Sequence, residues 1–187
     1  EFDSAEYQVL MKGLKILSEL LPDLATSVLA HVRLICLIDY KSEQNRRGVR
    51  SDLCQNVSTH KIAGTIFLSP SPLRTPWDAA EAILHEAAHK KLSDLVLTRS
   101  ILCDGYDTEL APITDAIWNR SYAWNSSKWS LDRALFAFHV YVYLSVFFDS
   151  LEDNAHLLKE EYGYNGSGFR DARTAASAGR RGDVRAD

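Results

Sequence analysis

The chain has 187 residues, of which 46% are hydrophobic, and this suits one globular domain and excludes a disordered protein. Its formal net charge of -4 argues against a general nucleic-acid binder, because such proteins carry a basic surface. The three cysteines lack paired spacing, which predicts reduced thiols and a cytoplasmic protein. No apolar run resembles a signal peptide or a full membrane span, so we expect no membrane partner.

Helical periodicity, with apolar residues every three or four positions, dominates the chain. The segments that carry it are 4–20, 23–31, 75–97, 110–124 and 131–150. Two segments rich in β-branched residues, 32–38 and 65–68, predict short strands. The pattern predicts a mainly helical α+β fold with a small two-stranded β element. We expect one domain over 1–162 and an extended Gly-, Ala- and Arg-rich tail over 163–187.

The helix predicted over 75–97 carries the segment His85-Glu86-Ala87-Ala88-His89. Thr75 is a good N-terminal cap, Pro76 suits the first helical position, and Asp78 completes a capping box. Histidines four residues apart lie one turn apart on the same helical face, so both imidazoles can reach one divalent metal ion. Glu86 points about 100° away from His85 and can approach a ligand of the ion without binding it. This HExxH motif is the strongest functional signal in the sequence.

A metal site with open positions needs a third protein ligand. The extension that supplies a third histidine in metzincins is absent, because Leu92 and Leu95 occupy its positions. Glu109 is the main carboxylate candidate, but it follows a polar loop segment without a supporting pattern. His139 is the better candidate, because it interrupts an otherwise apolar helix.

The helix of His139 carries two further polar side chains on the same face. Asp132 precedes the histidine by seven residues and Tyr143 follows it by four, so both could orient a metal ligand. We expect this apolar helix to cross the HExxH helix and close the site.

Three segments together resemble the HExxH-type 2-oxoglutarate-dependent peptide β-hydroxylases, which are associated with ribosomally made, modified peptides. They are Gly64–Ser69, Ile83–Leu92, and Trp129–Arg133 leading to His139. The resemblance covers about residues 60–148. It implies an Fe(II) site of His85, His89 and His139, with 2-oxoglutarate and O₂ as cosubstrates and a peptide or peptide-like substrate. It also implies that Arg133 pairs with the distal carboxylate of 2-oxoglutarate, for which a guanidinium is well suited.

Two other functions fit the same residues. Three imidazoles with open positions also suit Zn(II), and in a zinc metallopeptidase Glu86 would act as the general base. A non-catalytic metal-binding or peptide-recognition module would use the metal without turnover. The polar loops 41–59 and 103–109 are candidates for substrate contact in each case.

Overall fold

The computed structural model describes residues 5–38, 56–58, 61–69, 73–98, 101–102, 105–115 and 128–164. These residues are mainly helical with two small sheets, so the predicted α+β class is confirmed. The chain divides into two compact units, Glu1–Ser100 and Ile101–Asp187, which we call unit 1 and unit 2. The predicted single domain over 1–162 and the predicted crossing of the HExxH and His139 helices both stay predictions.

Within its described residues, unit 1 contains three helices and one sheet. Its elements are α1 (Ala5–Leu20), α2 (Pro22–Leu29), β1 (Leu34–Leu37), β2 (Val57–Ser58), β3 (Thr65–Leu68) and α3 (Pro76–Leu97). Helix α2 begins at Pro22 rather than being capped by Asp23, because a proline loses no hydrogen bond in the first helical position. Helix α3 carries the HExxH motif.

The sheet of unit 1 has the order β1–β3–β2. Strands β1 and β3 are the two predicted strands, and they pair in parallel with Leu34 opposite Thr65. Strand β2 pairs antiparallel with β3, so that Ser58 lies opposite Ile66. Sequence reasoning missed β2 because two residues within a polar stretch carry no measurable periodicity. This third strand brings Ser58 into the part of the unit that carries the HExxH motif.

The core of unit 1 lies between α1, α2, β3 and α3. Its fully buried apolar side chains are Ile16, Leu17, Val28, Ile66, Leu68, Ile83 and Leu84. Helix α1 comes close to the start of α3 at Gly13, where an added Cβ atom would lie 2.9 Å from the Cβ atom of Ala79, the amide nitrogen of Ala80 and the carbonyl oxygen of Pro76. Glycine is therefore required at this contact because two of the three neighbouring atoms belong to backbone.

Replacing Gly13 with alanine is expected to lower the free energy of unfolding by about 1–2 kcal/mol. Alanine favours the helix interior by about 1 kcal/mol, but the new methyl group forces α1 away from α3. Chemical unfolding of purified protein measures the change. Lys12→Ala, at the exposed neighbouring position, is the control and should have little effect. A variant at Gly13 as stable as the wild type would contradict the close contact.

The described part of unit 2 contains a two-stranded sheet and two helices. Its elements are β4 (Ile113–Asp115), β5 (Lys128–Ser130), α4 (Leu131–Asp153) and α5 (Ala155–Tyr162). The predicted helix over 110–124 is wrong at 113–115, because this segment pairs antiparallel with β5. Pro112 and the β-branched Ile113 and Thr114 explain the strand, since all three disfavour a helix interior. Residues 116–124 lie outside the described residues.

Helix α4 is long and strongly apolar. Its buried side chains are Val140, Leu144, Phe147, Phe148 and Leu151. By length and hydropathy alone it is the one helix in the described part of the chain that could span a membrane, with a mean hydropathy of 1.5 and 28% of that window buried. Core helices of soluble proteins meet the same criterion, and the absence of a membrane partner stays a prediction.

Helix α5 ends where the tail was predicted to begin. Gly163 adopts the left-handed conformation with φ of 71°, and its amide donates to the carbonyl of Lys159. This bond, made by a left-handed glycine, is a common way for a helix to end. The amide of Tyr164 also donates to the carbonyl of Leu158. The rest of the predicted tail, 165–187, lies outside the described residues.

Candidate metal centre

The start of helix α3 is fixed by its N-terminal cap. The side chain of Thr75 accepts a hydrogen bond of 3.2 Å from the amide of Asp78, and Pro76 occupies the first helical position. This confirms the predicted cap. Such a cap satisfies one of the free amide groups at a helix start and sets where the helix begins. The cap therefore places the HExxH motif inside the helix, about two turns after its start.

Unit 1 brings His85 and His89 together as the sequence predicts. Their ring centroids are 5.0 Å apart in an edge-to-face arrangement, on one face of α3. The side chain of His85 is 39% exposed, and its poorly solvating surroundings lower its pKa below the usual value. The neutral imidazole is thereby favoured, and this is the form that binds metal ions. The pair can supply two nitrogen ligands to one ion.

Glu86 lies against this pair but is almost completely buried, with 3% of its surface exposed. One of its carboxylate oxygens, Oε1, lies 4.0 Å from Nε2 of His85. Burial raises the pKa of Glu86 to about 7, and a hydrogen bond from the Ser58 side chain opposes that rise. Ser58 was not singled out from the sequence, because no pattern in the polar stretch around it indicates this contact. The carboxylate is thus held beside a histidine and away from bulk water.

A second buried polar contact joins α3 to the turn before β3. Lys90 is 1% exposed, and its Nζ atom donates a hydrogen bond of 2.6 Å to the carbonyl oxygen of Ile62. Lys90 follows Glu86 by four residues and therefore lies on a neighbouring part of the same helical face. Glu86 and Lys90 thus join α3 to the end of β2 and to the turn before β3, respectively. The sequence gives no sign that a lysine beside the motif is a core residue.

Glu81 is a further acidic side chain of α3, one turn before His85. Burial, together with the nearby Asp78 carboxylate, raises its pKa from 4.5 to about 7. The folded protein therefore binds this proton more tightly than the unfolded chain does. Its contribution to stability is fully present below pH 4.5 and is lost as the pH rises through 7.

Glu81→Gln is therefore expected to stabilise the metal-free protein at pH 8, by about 1 kcal/mol after allowance for solvent access. At pH 4 the variant and the wild type should unfold at nearly the same temperature, because the carboxyl group is then largely neutral in both states. Thermal unfolding at the two pH values measures the difference. Glu6→Gln, an exposed acid of α1, is the control. An equal effect of Glu81→Gln at both pH values would contradict the raised pKa.

Unit 2 holds His139, the third predicted ligand, in α4. Its ring packs edge-to-face on Tyr143, with 4.6 Å between the ring centroids. The Nε2 atom of His139 is shielded from solvent. Tyr143 thus contacts His139 directly, as expected for a residue that orients it. Whether His139 binds a metal stays a prediction.

Asp132, the other predicted orienting group, has a well-defined set of partners within unit 2. Its two carboxylate oxygens accept hydrogen bonds from the hydroxyl groups of Tyr106 (3.0 Å) and Thr108 (3.2 Å). Its own amide donates to the Tyr106 oxygen at 3.2 Å. Partial burial would raise the pKa of Asp132, but these hydroxyl groups and that of Ser130 hold it below the usual value. Asp132 therefore ties the 105–108 turn to the first turn of α4.

Arg133 is exposed and lies over the indole ring of Trp129. The central carbon of the guanidinium is 4.3 Å from the ring centroid, within the range of a cation–π interaction. Trp129 itself is only 8% exposed. Trp129 is therefore a buried residue that also supports this arginine.

Other candidate residues take no part in these clusters. Glu109 is exposed in a turn, and its amide donates to the side chain of Asp107. His31 forms a 2.8 Å contact with Asp94, as expected for a structural histidine. Across the described segments, no three His, Cys, Asp or Glu side chains form a group that could hold a metal ion.

The described geometry thus contains a histidine pair with a buried glutamate in unit 1. Unit 2 contains a histidine–tyrosine pair and an arginine supported by tryptophan. No protein-family model matches the chain, and no curated protein matches it either.

Proposed function

We propose that this protein is a non-haem Fe(II) and 2-oxoglutarate-dependent oxygenase that hydroxylates a peptide or peptide-like substrate. The observation that carries the proposal is the pair of imidazoles of His85 and His89, 5.0 Å apart on one face of a capped helix. His139 would be the third ligand. We favour an oxygenase over other metal-dependent enzymes because the sequence resembles the HExxH-type peptide β-hydroxylases.

The chemistry of the proposed donors supports this choice of metal. Three neutral imidazoles with open positions suit Fe(II) or Zn(II), and the lowered pKa of His85 favours its neutral form. Tyr143 packs on the His139 ring and would limit its rotation. These contacts would keep the ligands in place before the metal binds.

Fe(II) with 2-oxoglutarate and O₂ would supply the oxidation chemistry: one oxygen atom would enter succinate as the keto acid loses CO₂, and the other would enter the substrate as a hydroxyl group. The chain's own residues would bind and orient. His85, His89 and His139 would hold the metal, and the exposed guanidinium of Arg133 would pair with the distal carboxylate of 2-oxoglutarate. Glu86 would need no proton transfer and would act through its fixed position beside His85.

Anaerobic reconstitution tests this proposal. Protein purified without chelator should contain iron, and Fe(II) plus 2-oxoglutarate should give a weak metal-to-ligand absorption band. On exposure to O₂ the sample should form succinate. Absence of both the band and succinate would contradict the oxygenase, and bound zinc with peptide cleavage would identify a hydrolase.

A zinc metallopeptidase is the second candidate, and the position of Glu86 favours it. A carboxylate whose Oε1 atom lies 4.0 Å from Nε2 of His85 is close enough to the proposed metal ligands to act as a general base on a water near the metal.

Glu86→Gln separates the two functions. In an oxygenase we expect succinate formation within about tenfold of the wild type, whereas a peptidase should lose about 10²–10⁴-fold in peptide cleavage. Metal content should remain unchanged in both cases. Glu81→Gln, one turn earlier on α3, controls for removal of a buried acid. Loss of succinate formation by more than 100-fold in Glu86→Gln alone would contradict a purely positional role of Glu86.

A further inference from the structure

The contact between Trp129 and Arg133 suggests a role that neither residue has alone. An arginine side chain on a protein surface has many rotamers, and holding it in one of them requires a partner. Here the central carbon of the guanidinium lies over the indole, 4.3 Å from the ring centroid, and Trp129 is buried. A buried ring is a rigid support, so the guanidinium is confined while its edge donors remain available.

Asp132, which precedes Arg133 in the sequence, forms hydrogen bonds with side chains other than Arg133. Both carboxylate oxygens of Asp132 accept hydroxyl hydrogen bonds from Tyr106 and Thr108, which turns this side chain to the 105–108 segment. No acidic side chain in the described ranges forms an ion pair with Arg133. Lys128, the other cation nearby, is by contrast paired with Asp115 at 3.0 Å. Among the described residues of unit 2, Arg133 is thus a cation without an acidic ion-pair partner, so its charge is available to an external anion.

We infer that Trp129 is a positioning residue that holds Arg133 ready for the distal carboxylate of 2-oxoglutarate. This inference rests on the proposed function. Trp129 does not touch the cosubstrate itself; it acts by confining the guanidinium before binding, which lowers the entropy lost when the ion pair forms. The hydroxyl network around Asp132 contributes by keeping the adjacent carboxylate away from Arg133.

The test measures 2-oxoglutarate affinity by anaerobic titration of the absorption band of the Fe(II)-loaded protein. Arg133→Gln should weaken binding by at least tenfold, because it removes a charge-assisted pair. Trp129→Leu should weaken it about fivefold, and Trp129→Phe, which keeps an aromatic face, by less than twofold. In steady state the KM for 2-oxoglutarate should rise in Trp129→Leu, while kcat at saturation stays unchanged. Lys128→Gln removes a charge nearby and should leave the affinity unaltered.

A double-mutant cycle separates positioning from a general structural effect. If Trp129 acts through Arg133, Trp129→Leu should add nothing to the loss already caused by Arg133→Gln. An additive loss would overturn the inference. Should Trp129→Leu fold poorly, a ring-fluorinated tryptophan at position 129 keeps the shape and weakens only the negative face of the ring. It should reduce affinity about threefold, and unchanged affinity would overturn the inference.

The outcomes distinguish this inference from the proposed function. A wild type that binds and converts 2-oxoglutarate, with variants at Trp129 indistinguishable from it, overturns the positioning role and leaves the oxygenase intact. A wild type that binds no 2-oxoglutarate overturns both.

Discussion

Replacing His85 or His89 with alanine is expected to reduce bound iron and succinate formation by more than about 100-fold. Removing groups that merely orient a ligand already costs about 10- to 100-fold in metal affinity, and loss of the ligand itself should exceed that. The two histidines lie side by side on α3, so neither can replace the other. Metal analysis and succinate assays on the two variants measure the effect.

His156→Ala is the matched control, because this histidine is exposed on α5 and has no ligand spacing in the sequence. It should keep full iron content and turnover. Thermal unfolding of the metal-free variants shows whether the fold is retained. If either variant at His85 or His89 binds iron as tightly as the wild type, the HExxH segment is not the metal centre and the proposed function fails.

The substitution His139→Phe is expected to have an effect of similar size. Phenylalanine keeps the aromatic packing against Tyr143, whose ring lies 4.6 Å from that of His139, but it has no nitrogen for a metal. A three-ligand site reduced to two should lose more than about 100-fold in iron affinity. Equilibrium competition with a chelator measures this loss.

Two further variants test whether the nitrogen of His139 is a metal ligand. His139→Asp offers a carboxylate, which iron accepts together with two histidines in many oxygenases, so it should retain more iron than His139→Phe. Phe138→Ala, at the neighbouring and exposed position, controls for changes in α4. If His139→Phe binds iron as tightly as the wild type, His139 is not a ligand. A carboxylate then becomes the better candidate for the third ligand.

The part of the candidate site that lies on one helix was predictable from sequence. A cap at Thr75 and a fixed four-residue spacing determine the relation of His85 to His89, because helical geometry is local. The contacts of Glu86 with Ser58 and of Asp132 with Tyr106 were not predictable. The paired residues are 28 and 26 positions apart in the sequence. Such contacts depend on tertiary packing, which the spacing of apolar residues does not predict.

The same distinction holds for the fold. The long helices α3 and α4 have several turns of consistent pattern, and their predicted starts agree with the structure. Strand β4 was predicted as helix because its three residues lie beside apolar residues with helical spacing. Its conformation is instead decided by its pairing with β5. Helix α5 was missed because it has only eight residues and begins directly after α4.

The buried amine of Lys90 provides a chemical reporter of motion in unit 1. Acylating reagents need an accessible amine, and this one is 1% exposed and bonded to the Ile62 carbonyl. It can therefore react only when α3 separates from the turn before β3, whereas the exposed Lys159 reacts at once and serves as an internal reference. The rate of Lys90 acylation, followed by mass spectrometry, then reports how often this region opens. A metal ion bound at the adjacent His89 would slow that rate, so ligand occupancy can be read from covalent labelling alone.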